Sequence, residues 1–289
     1  MANTKRTSPR IRALGAELRE YRENAGMTVR DVSTRIGGHH SKVARIETGQ
    51  IPPTPEIVVA LLTTYGAPES DRDRLAAMAR DATEESNWIK PRGQWGQSAT
   101  DQDLIALIEF ERTATNIVDV APIMIPGLLQ TSDYARAVMS AGMPPEAVEA
   151  QVTMRVGRRD VLSHRNAPEF LAILGEWALR EPMGDQATMA DQLQHIVKMS
   201  EMNNVTVQVV RTGSGAWTPM HAGQYMLFEF PKAAPVVHVE HLSSDAFLSR
   251  PGDIQSYQQA TDNLRDVAMT PEASAELIAN IAKEMEANL

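Results

Sequence analysis

Cysteine is absent from the 289-residue sequence. A disulfide scaffold, a thiol nucleophile, an iron–sulfur cluster and a zinc site built on cysteine are therefore excluded. The absence also fits a reducing compartment. Any chemistry or recognition that the chain performs has to come from its other side chains.

Long apolar runs are absent as well, because no stretch of about 18 residues is apolar and free of charge. Residues 1–12 carry basic side chains, but no apolar segment follows them. The sequence therefore predicts neither a secretory signal nor a membrane-spanning helix. We expect a cytoplasmic protein that has no membrane partner.

The charge of the chain is unevenly distributed. The net charge is −9, yet residues 1–50 hold ten Lys and Arg against five Asp and Glu, so the remainder carries −14. The length also predicts two domains rather than one. A basic segment joined to an acidic one indicates a nucleic-acid-binding module attached to a second domain, although a solvated basic face is the alternative.

Two short helices separated by a glycine-containing turn are predicted between residues 28 and 48. Thr28 and Asp31 form a capping pair that begins the first helix, and Gly37 ends it. The second helix has only Val43 and Ile46 as strongly apolar residues, so it can bury one face and present the other. A helix-turn-helix places such a second helix in the major groove of DNA. The side chains left for DNA are His39, His40, Ser41, Lys42 and Arg45.

The run MTVRDVSTRIGGHHSKVARIETG, residues 27–49, resembles the XRE (Cro/CI-type) helix-turn-helix, including its Ser-Lys-Val-x-Arg-Ile-Glu-x-Gly ending. The resemblance implies that Thr28 and Arg30 lie near phosphate and that His40, Ser41 and Lys42 lie near base edges. Because His39 and His40 depart from the residues that usually precede this serine, the operator sequence stays open.

Alternatives to these roles remain. Arg45 is a long cation that suits phosphate or guanine, but it can also pair with Glu47 or another carboxylate of the bundle. Glu47 is expected to be a structural ion-pair partner, because phosphate repels a carboxylate. A helical bundle that does not bind DNA is the alternative for the whole segment.

We expect three parts in the chain. The head, residues 1–84, is predicted to be a helix-turn-helix DNA-binding domain of five helices. A linker of residues 85–100 contains Trp88 and Trp95 and is expected to pack on the protein. The body, residues 101–289, is expected to regulate the head or to bind a partner.

The body contains the run DVAPIMIPGLLQTSDYARAVM. It resembles the PGLLQT-x-x-YARA signature of the WhiJ-like, antitoxin-like carboxy-terminal domain of actinobacterial XRE regulators. The resemblance implies a small partner protein encoded nearby. The residues themselves favour a structural role over ligand contact, since Pro126 and Gly127 suit a turn, Leu128 and Leu129 suit a core, and Thr131 suits a helix cap.

The predicted fold class is mainly α, with a five-helix bundle followed by an α+β domain that contains a small sheet. Alternating apolar residues predict strands at 205–210, 225–230 and 236–241. Helices are expected at 101–116, 252–267 and 271–286.

No catalytic residue, metal site or cofactor is predicted. His238 and Glu240 form a His-x-Glu pair, but a deaminase zinc site also needs cysteine. Strand alternation would put His241 on the opposite face, which disfavours a metal site of histidine and glutamate alone. Four arginines, which we expect to be solvated or ion-paired, form a basic patch in the body: Arg155, Arg158, Arg159 and Arg165.

The sequence thus predicts a transcriptional regulator that binds double-stranded DNA as a homodimer, since one recognition helix reads too few bases. The body is expected to dimerise and bind a small partner protein. The alternative is a repressor that a small molecule releases from DNA, with a pocket lined by Trp177, Trp217, Tyr225 and His238. An enzyme is disfavoured because no acid, base and nucleophile converge.

Overall fold

A computed structural model of the chain describes residues 9–37, 40–83, 90–91, 101–213, 215–231, 233–241 and 244–287. His39, Trp88 and Trp95 lie outside the described residues, as does all of the predicted linker except Lys90 and Pro91.

The described part of the head consists of five helices, as the sequence predicts. They are α1 (Pro9–Asn24), α2 (Val29–Ile36), α3 (His40–Glu47), α4 (Pro55–Tyr65) and α5 (Glu69–Thr83). Leu14 and Leu18, four residues apart on α1, are completely buried, and so are Val32 of α2 and Leu61 of α4. The periodic apolar residues of each helix therefore meet in one hydrophobic cluster that belongs to the head.

The body combines a mixed sheet with seven helices in its described residues. The strands, including the short one in the linker, are β1 (Lys90–Pro91), β2 (Asn116–Ala121), β3 (Glu169–Gly175), β4 (Val205–Val210), β5 (Tyr225–Glu229), β6 (Val236–His241) and β7 (Ser244–Leu248). The helices are α6 (Asp101–Thr113), α7 (Ser132–Ser140), α8 (Pro145–Arg158), α9 (Glu176–Arg180), α10 (Gln186–Met199), α11 (Pro251–Val267) and α12 (Pro271–Glu286).

The strand order in the sheet is β1-β7-β6-β5-β2-β3-β4. Strands β2, β3 and β4 are parallel to one another, and every other pairing is antiparallel. Phe110 of α6 and Ile196 of α10 pack on one face of the sheet, whereas Ile254 and Leu264 of α11 pack on the other. Helices thus cover both faces, and the carboxyl ends of the three parallel strands open at one edge of the body.

The predicted fold class is confirmed, but the sheet is larger than the three strands that the sequence predicted. Those strands appear as β4, β5 and β6, and the two carboxy-terminal helices appear as α11 and α12. The helix predicted for 101–116 ends at Thr113, and Asn116 already belongs to β2. Strands β1, β2, β3 and β7 were not predicted.

Candidate functional sites

The helix-turn-helix geometry starts at the cap of α2. The Thr28 hydroxyl accepts a hydrogen bond from the Asp31 backbone N–H at 3.2 Å, and the Asp31 carboxylate accepts one from the Thr28 backbone N–H at 2.8 Å. The Thr28 hydroxyl also donates to Asp31 Oδ2 at 2.6 Å, and this bond, followed by the one from the Thr28 backbone N–H, lowers the pKa of the Asp31 carboxyl. Gly37 then ends α2 in the left-handed conformation. The predicted capping pair is confirmed, and it fixes the direction in which α2 leaves the turn.

Helix α3 has one buried face and one exposed face. Val43 and Ile46 are buried in the head, whereas His40, Ser41, Lys42 and Arg45 are exposed. Thr28 and Arg30, at the start of α2, are exposed as well. Within the described residues, neither Lys42 nor Arg45 forms an ion pair, so both cations are available to another molecule.

Glu47 is the buried carboxylate that holds α3 in place. Arg22 of α1 donates from Nε to Glu47 Oε1 at 2.8 Å and from Nη2 to Oε2 at 3.0 Å. The Tyr65 hydroxyl of α4 lies 3.4 Å from the same carboxylate. Glu47 is thus a structural ion-pair partner, as predicted, and it pairs with Arg22 rather than with Arg45.

A cleft of about 1000 Å³ lies at the carboxyl ends of the parallel strands. Ile123 follows β2, Trp177 follows β3 and Thr212 follows β4, and all three residues line the cleft together with Trp217. In open α/β sheets, this edge is where ligands bind. Trp177 is 54% exposed and Trp217 is 72% exposed, so the cleft presents two large aromatic surfaces.

The floor of this cleft is closely packed. A Cβ atom on Gly175 would lie 2.3 Å from the Pro122 carbonyl oxygen, so only glycine fits between the ends of β2 and β3. The next residue, Glu176, accepts hydrogen bonds from Arg180 Nε at 2.8 Å and from the Thr212 backbone N–H at 3.1 Å. Burial opposes the charge of Glu176, but these bonds hold the pKa of its carboxyl below its ordinary value.

The four pocket residues that the sequence suggested fall into two adjoining cavities. Trp177 and Trp217 line the cleft, whereas Tyr225 and His238 line a pocket of about 90 Å³ between the sheet and α6. The Tyr225 hydroxyl itself lies on the other face of the sheet, 2.9 Å from Thr261 Oγ1 of α11. Met124, Gln224 and Glu240 line both cavities. The cleft and the pocket are therefore two ends of one recess.

The small pocket is rich in ionisable groups. Asp119 of β2 and Asp245 of β7 line it with His238 and Glu240 of β6. His238 Nε2 lies 3.9 Å from Asp245 Oδ1, and the His238 ring stacks on Phe247 with centroids 4.6 Å apart. Burial, and then the negative charge of Glu111, raise the pKa of Asp119 to about 7. Asp119 was not identified from the sequence. A lone carboxylate within the apolar run Ile-Val-Asp-Val-Ala could have indicated a buried acidic residue.

The turn before α7 is built as its residues suggested. Leu128 and Leu129 are completely buried, and the Thr131 hydroxyl caps α7 by accepting from the Tyr134 backbone N–H at 3.3 Å. Gln192 of α10 holds this turn, since its Oε1 accepts from the Thr131 N–H and its Nε2 donates to the Leu129 carbonyl, both at 2.7 Å. Three residues of the turn also line the small pocket: Pro126, Gly127 and Gln130.

The basic patch of the body is largely engaged by other side chains. Arg158 donates to the buried Glu111 at 3.0 and 2.5 Å. Arg155 Nη1 lies 3.5 Å from Gln130 Oε1, and Arg159 Nη1 lies 3.0 Å from His195 Nε2. Arg165 is exposed. The expected ion pairing is confirmed for Arg158.

The described ranges contain neither a metal-binding cluster nor a membrane-spanning helix. In that part of the chain, no group of three or more His, Asp and Glu side chains is placed to hold a metal ion. Nor does any helix described there have the length and apolarity needed to cross a bilayer.

Two known families match separate parts of the chain. Residues 13–75 match a helix-turn-helix domain, which supports a DNA-binding regulator and favours a regulator over an enzyme. A search of curated proteins found no match to the chain. Residues 104–280, more than half of the chain, match a domain of unknown function, DUF5753. The chain therefore belongs to the DUF5753 family and carries a helix-turn-helix domain ahead of the family's domain.

Proposed function

We propose that the protein is a sequence-specific transcriptional regulator of the XRE type that reads double-stranded DNA with α3. The observation that carries this proposal is the arrangement of α3. Its apolar face is held in the head by Val43, Ile46 and the Glu47–Arg22 ion pair, while Lys42 and Arg45 face outward without an ion pair in the described residues. A helix that enters the major groove needs this division between a fixed face and a reading face.

The role proposed for each DNA-binding residue follows from its position in α2 or α3. Thr28 and Arg30 lie at the amino-terminal end of α2, where side chains and backbone contact phosphate in this motif. His40, Ser41 and Lys42 form the first turn of α3 and are assigned to base edges, with Arg45 reaching a guanine or a phosphate. His39 is assigned to the same surface by its place in the sequence.

The charge distribution supports an orientation on DNA. Residues 1–50 carry +5, whereas the rest of the chain carries −14. Phosphates attract the first part and repel the second, so the body faces away from the duplex. We propose the domain division at 1–84, 85–100 and 101–289, and the separate hydrophobic clusters of head and body support it.

A homodimer is part of this proposal. One recognition helix reads few base pairs, and a second copy one helical turn away multiplies the specificity. The resemblance to antitoxin-like regulators adds a small partner protein, encoded nearby, that binds the body. Sedimentation velocity tests the dimer, and co-expression with the small neighbouring protein followed by purification tests the partner.

Selection of binding sites from a random pool of duplex DNA tests the DNA-reading function. The full chain is expected to enrich a two-part sequence with half-sites about 10 base pairs apart, centre to centre. Enrichment of no sequence, under low-salt conditions that permit phosphate contacts, would overturn the proposal.

A second candidate function for the body is small-molecule sensing, and the cleft favours it. The cleft lies at the carboxyl ends of β2, β3 and β4 and has the size of a typical ligand site. In this function, binding of a ligand to the body would release the protein from its operator DNA. A ligand that binds the body but leaves operator affinity unchanged would argue against this function.

A further inference from the structure

The recess in the body has two chemically different ends. Its open end is the cleft with Trp177 and Trp217, and its closed end is the small pocket with Asp119. Glu240 lines both cavities and so lies where they join. A single ligand can therefore contact the aromatic surfaces and the acidic pocket at once.

Asp119 is the unusual group at the closed end. Its side chain lines the pocket, only 7% of the residue is exposed, and it makes no hydrogen bond to any residue that the structure describes. A buried polar group normally has a partner, because an unsatisfied one costs about 1–3 kcal/mol. The strand register places Asp119 beside Met226, which is in turn paired with His238, so the carboxylate stands on the pocket side of the sheet.

The charges around the pocket favour a cation over an anion. Asp119, Glu240 and Asp245 line it. Of the two arginines that line it, Arg158 is already bound through two hydrogen bonds to Glu111. The remaining cation, Arg155, lies near Gln130, and His238 stands close to Asp245. An anion entering the pocket would meet the Asp119 carboxylate, which has no hydrogen-bond partner among the described residues, whereas an ammonium group would find an acceptor in it.

The open end adds an apolar preference. Trp177, Trp217 and Ile123 are among the most exposed large hydrophobic residues that the structure describes, and all three line the cleft. Exposed indole rings bind flat apolar groups and also attract organic cations through their faces. A ligand with an apolar ring system would cover these surfaces while its polar end reached inward.

We propose that the recess binds a small organic cation, with its protonated amine at Asp119 and its aromatic or apolar body between Trp177 and Trp217. The inference deepens the small-molecule-sensing function and rests on it for its biological role. The binding itself does not depend on DNA recognition.

The test uses the full chain and a panel of matched fragments. Indole, phenyl and naphthyl rings each carry the same two-carbon chain ended by an amine, an alcohol or a carboxylate, and binding is measured by titration calorimetry. The amine of each ring system is expected to bind at least tenfold more tightly than the alcohol, and the carboxylate most weakly. A preference for the carboxylate, no effect of charge, or no binding by any of the nine compounds would overturn the inference.

Two variants locate the site. Asp119→Asn is expected to remove the preference of the recess for the amine while binding of the alcohol stays the same, and Asp191→Asn, at an exposed aspartate of α10, is the matched control. Trp217→Ala is expected to weaken all compounds of the panel. If Asp119→Asn folds normally and keeps the full preference for the amine, the assignment of Asp119 is wrong.

The result also separates this inference from the proposed functions. Amine binding without any effect on operator affinity would support the ligand class and contradict sensing. Operator binding by a chain that binds none of the amines would contradict the ligand class alone.

Discussion

The α-carbon of Gly15 in α1 lies so close to the Ile46 carbonyl oxygen in α3 that a Cβ atom there would stand 2.3 Å from that oxygen. Helix α1 and the end of the recognition helix therefore touch through backbone atoms. The Arg22–Glu47 ion pair joins the same two helices about two turns further along α1. These two contacts, one steric and one electrostatic, act together with the buried Val43 and Ile46 to position α3.

Replacement of Gly15 by alanine is expected to push α3 away from α1. Overpacking of this kind costs about 1–3 kcal/mol, and here it would also lower operator affinity because the reading helix moves. Urea unfolding and fluorescence anisotropy with the selected duplex measure the two effects. Gly157→Ala in α8 is the matched control, since its Cβ would meet no atom within 4 Å and is expected to stabilise the helix slightly. Equal unfolding free energies and equal operator affinities in the two variants would contradict the close approach of Gly15 to the Ile46 carbonyl.

The junction between head and body contains two neighbouring carboxylates. Arg74 of α5 donates from Nη1 to Glu109 of α6 at 2.6 Å and also binds Glu17 of α1, while Arg112 binds both carboxylates. Burial, and then the hydrogen bond and negative charge of Glu17, raise the pKa of Glu109 to about 8. Because this pKa is above that of an unfolded glutamate, the folded state loses stability as pH rises through 8.

We therefore expect Glu109→Gln to remove a pH dependence. Between pH 7 and 9, the wild-type chain should lose about 1 kcal/mol of unfolding free energy relative to Glu109→Gln. Urea unfolding at both pH values measures the difference. If the difference in unfolding free energy between the two proteins is the same at pH 7 and pH 9, Glu109 does not titrate in this range. Leu104 and Leu107 of the same helix line the small pocket, so α6 contributes to both the recess and this junction.

Asp119 gives a second pH-dependent expectation, and it needs no ligand. Its pKa of about 7 is above that of an unfolded aspartate, so the folded state loses stability as pH rises through 7. Asp119→Asn should therefore gain stability relative to the wild type as pH rises, by about 3 kcal/mol from pH 5 to pH 8. Thermal unfolding across this range measures it. A variant that is less stable than the wild type at pH 8 would mean that Asp119 has a structural partner.

The elements that the sequence predicted well are those with local signals. The head helices have apolar residues at helical spacing and end at glycines such as Gly37 and Gly66, which adopt the left-handed conformation. Strand β4 alternates, with Val205 and Val207 buried and Thr206 exposed. Such signals depend on a few neighbouring residues, so they can be read without the fold.

The missed strands have no such signal. Strand β3 is buried at every position after Glu169, because it lies between two parallel neighbours and under helices on both faces. A strand of this kind has no alternation and resembles a segment of buried helix. Strand β2 follows α6 after two residues, and Asp119 interrupts its apolar run. The recess depends on the order of these strands in the sheet. Some of its residues could therefore be identified from the sequence, but their arrangement around one recess could not be predicted.

DNA recognition by α3 is tested most directly by the double variant Lys42→Ala/Arg45→Ala. The matched control is Lys198→Ala/Arg265→Ala, which removes one exposed lysine and one exposed arginine from the body. Affinity for the selected duplex is measured for both over a series of salt concentrations. The α3 variant is expected to bind at least tenfold more weakly, with the slope of log affinity against log salt reduced by about 1 to 2, while the control binds like the wild type. Unchanged affinity and slope in the α3 variant would contradict recognition by this helix.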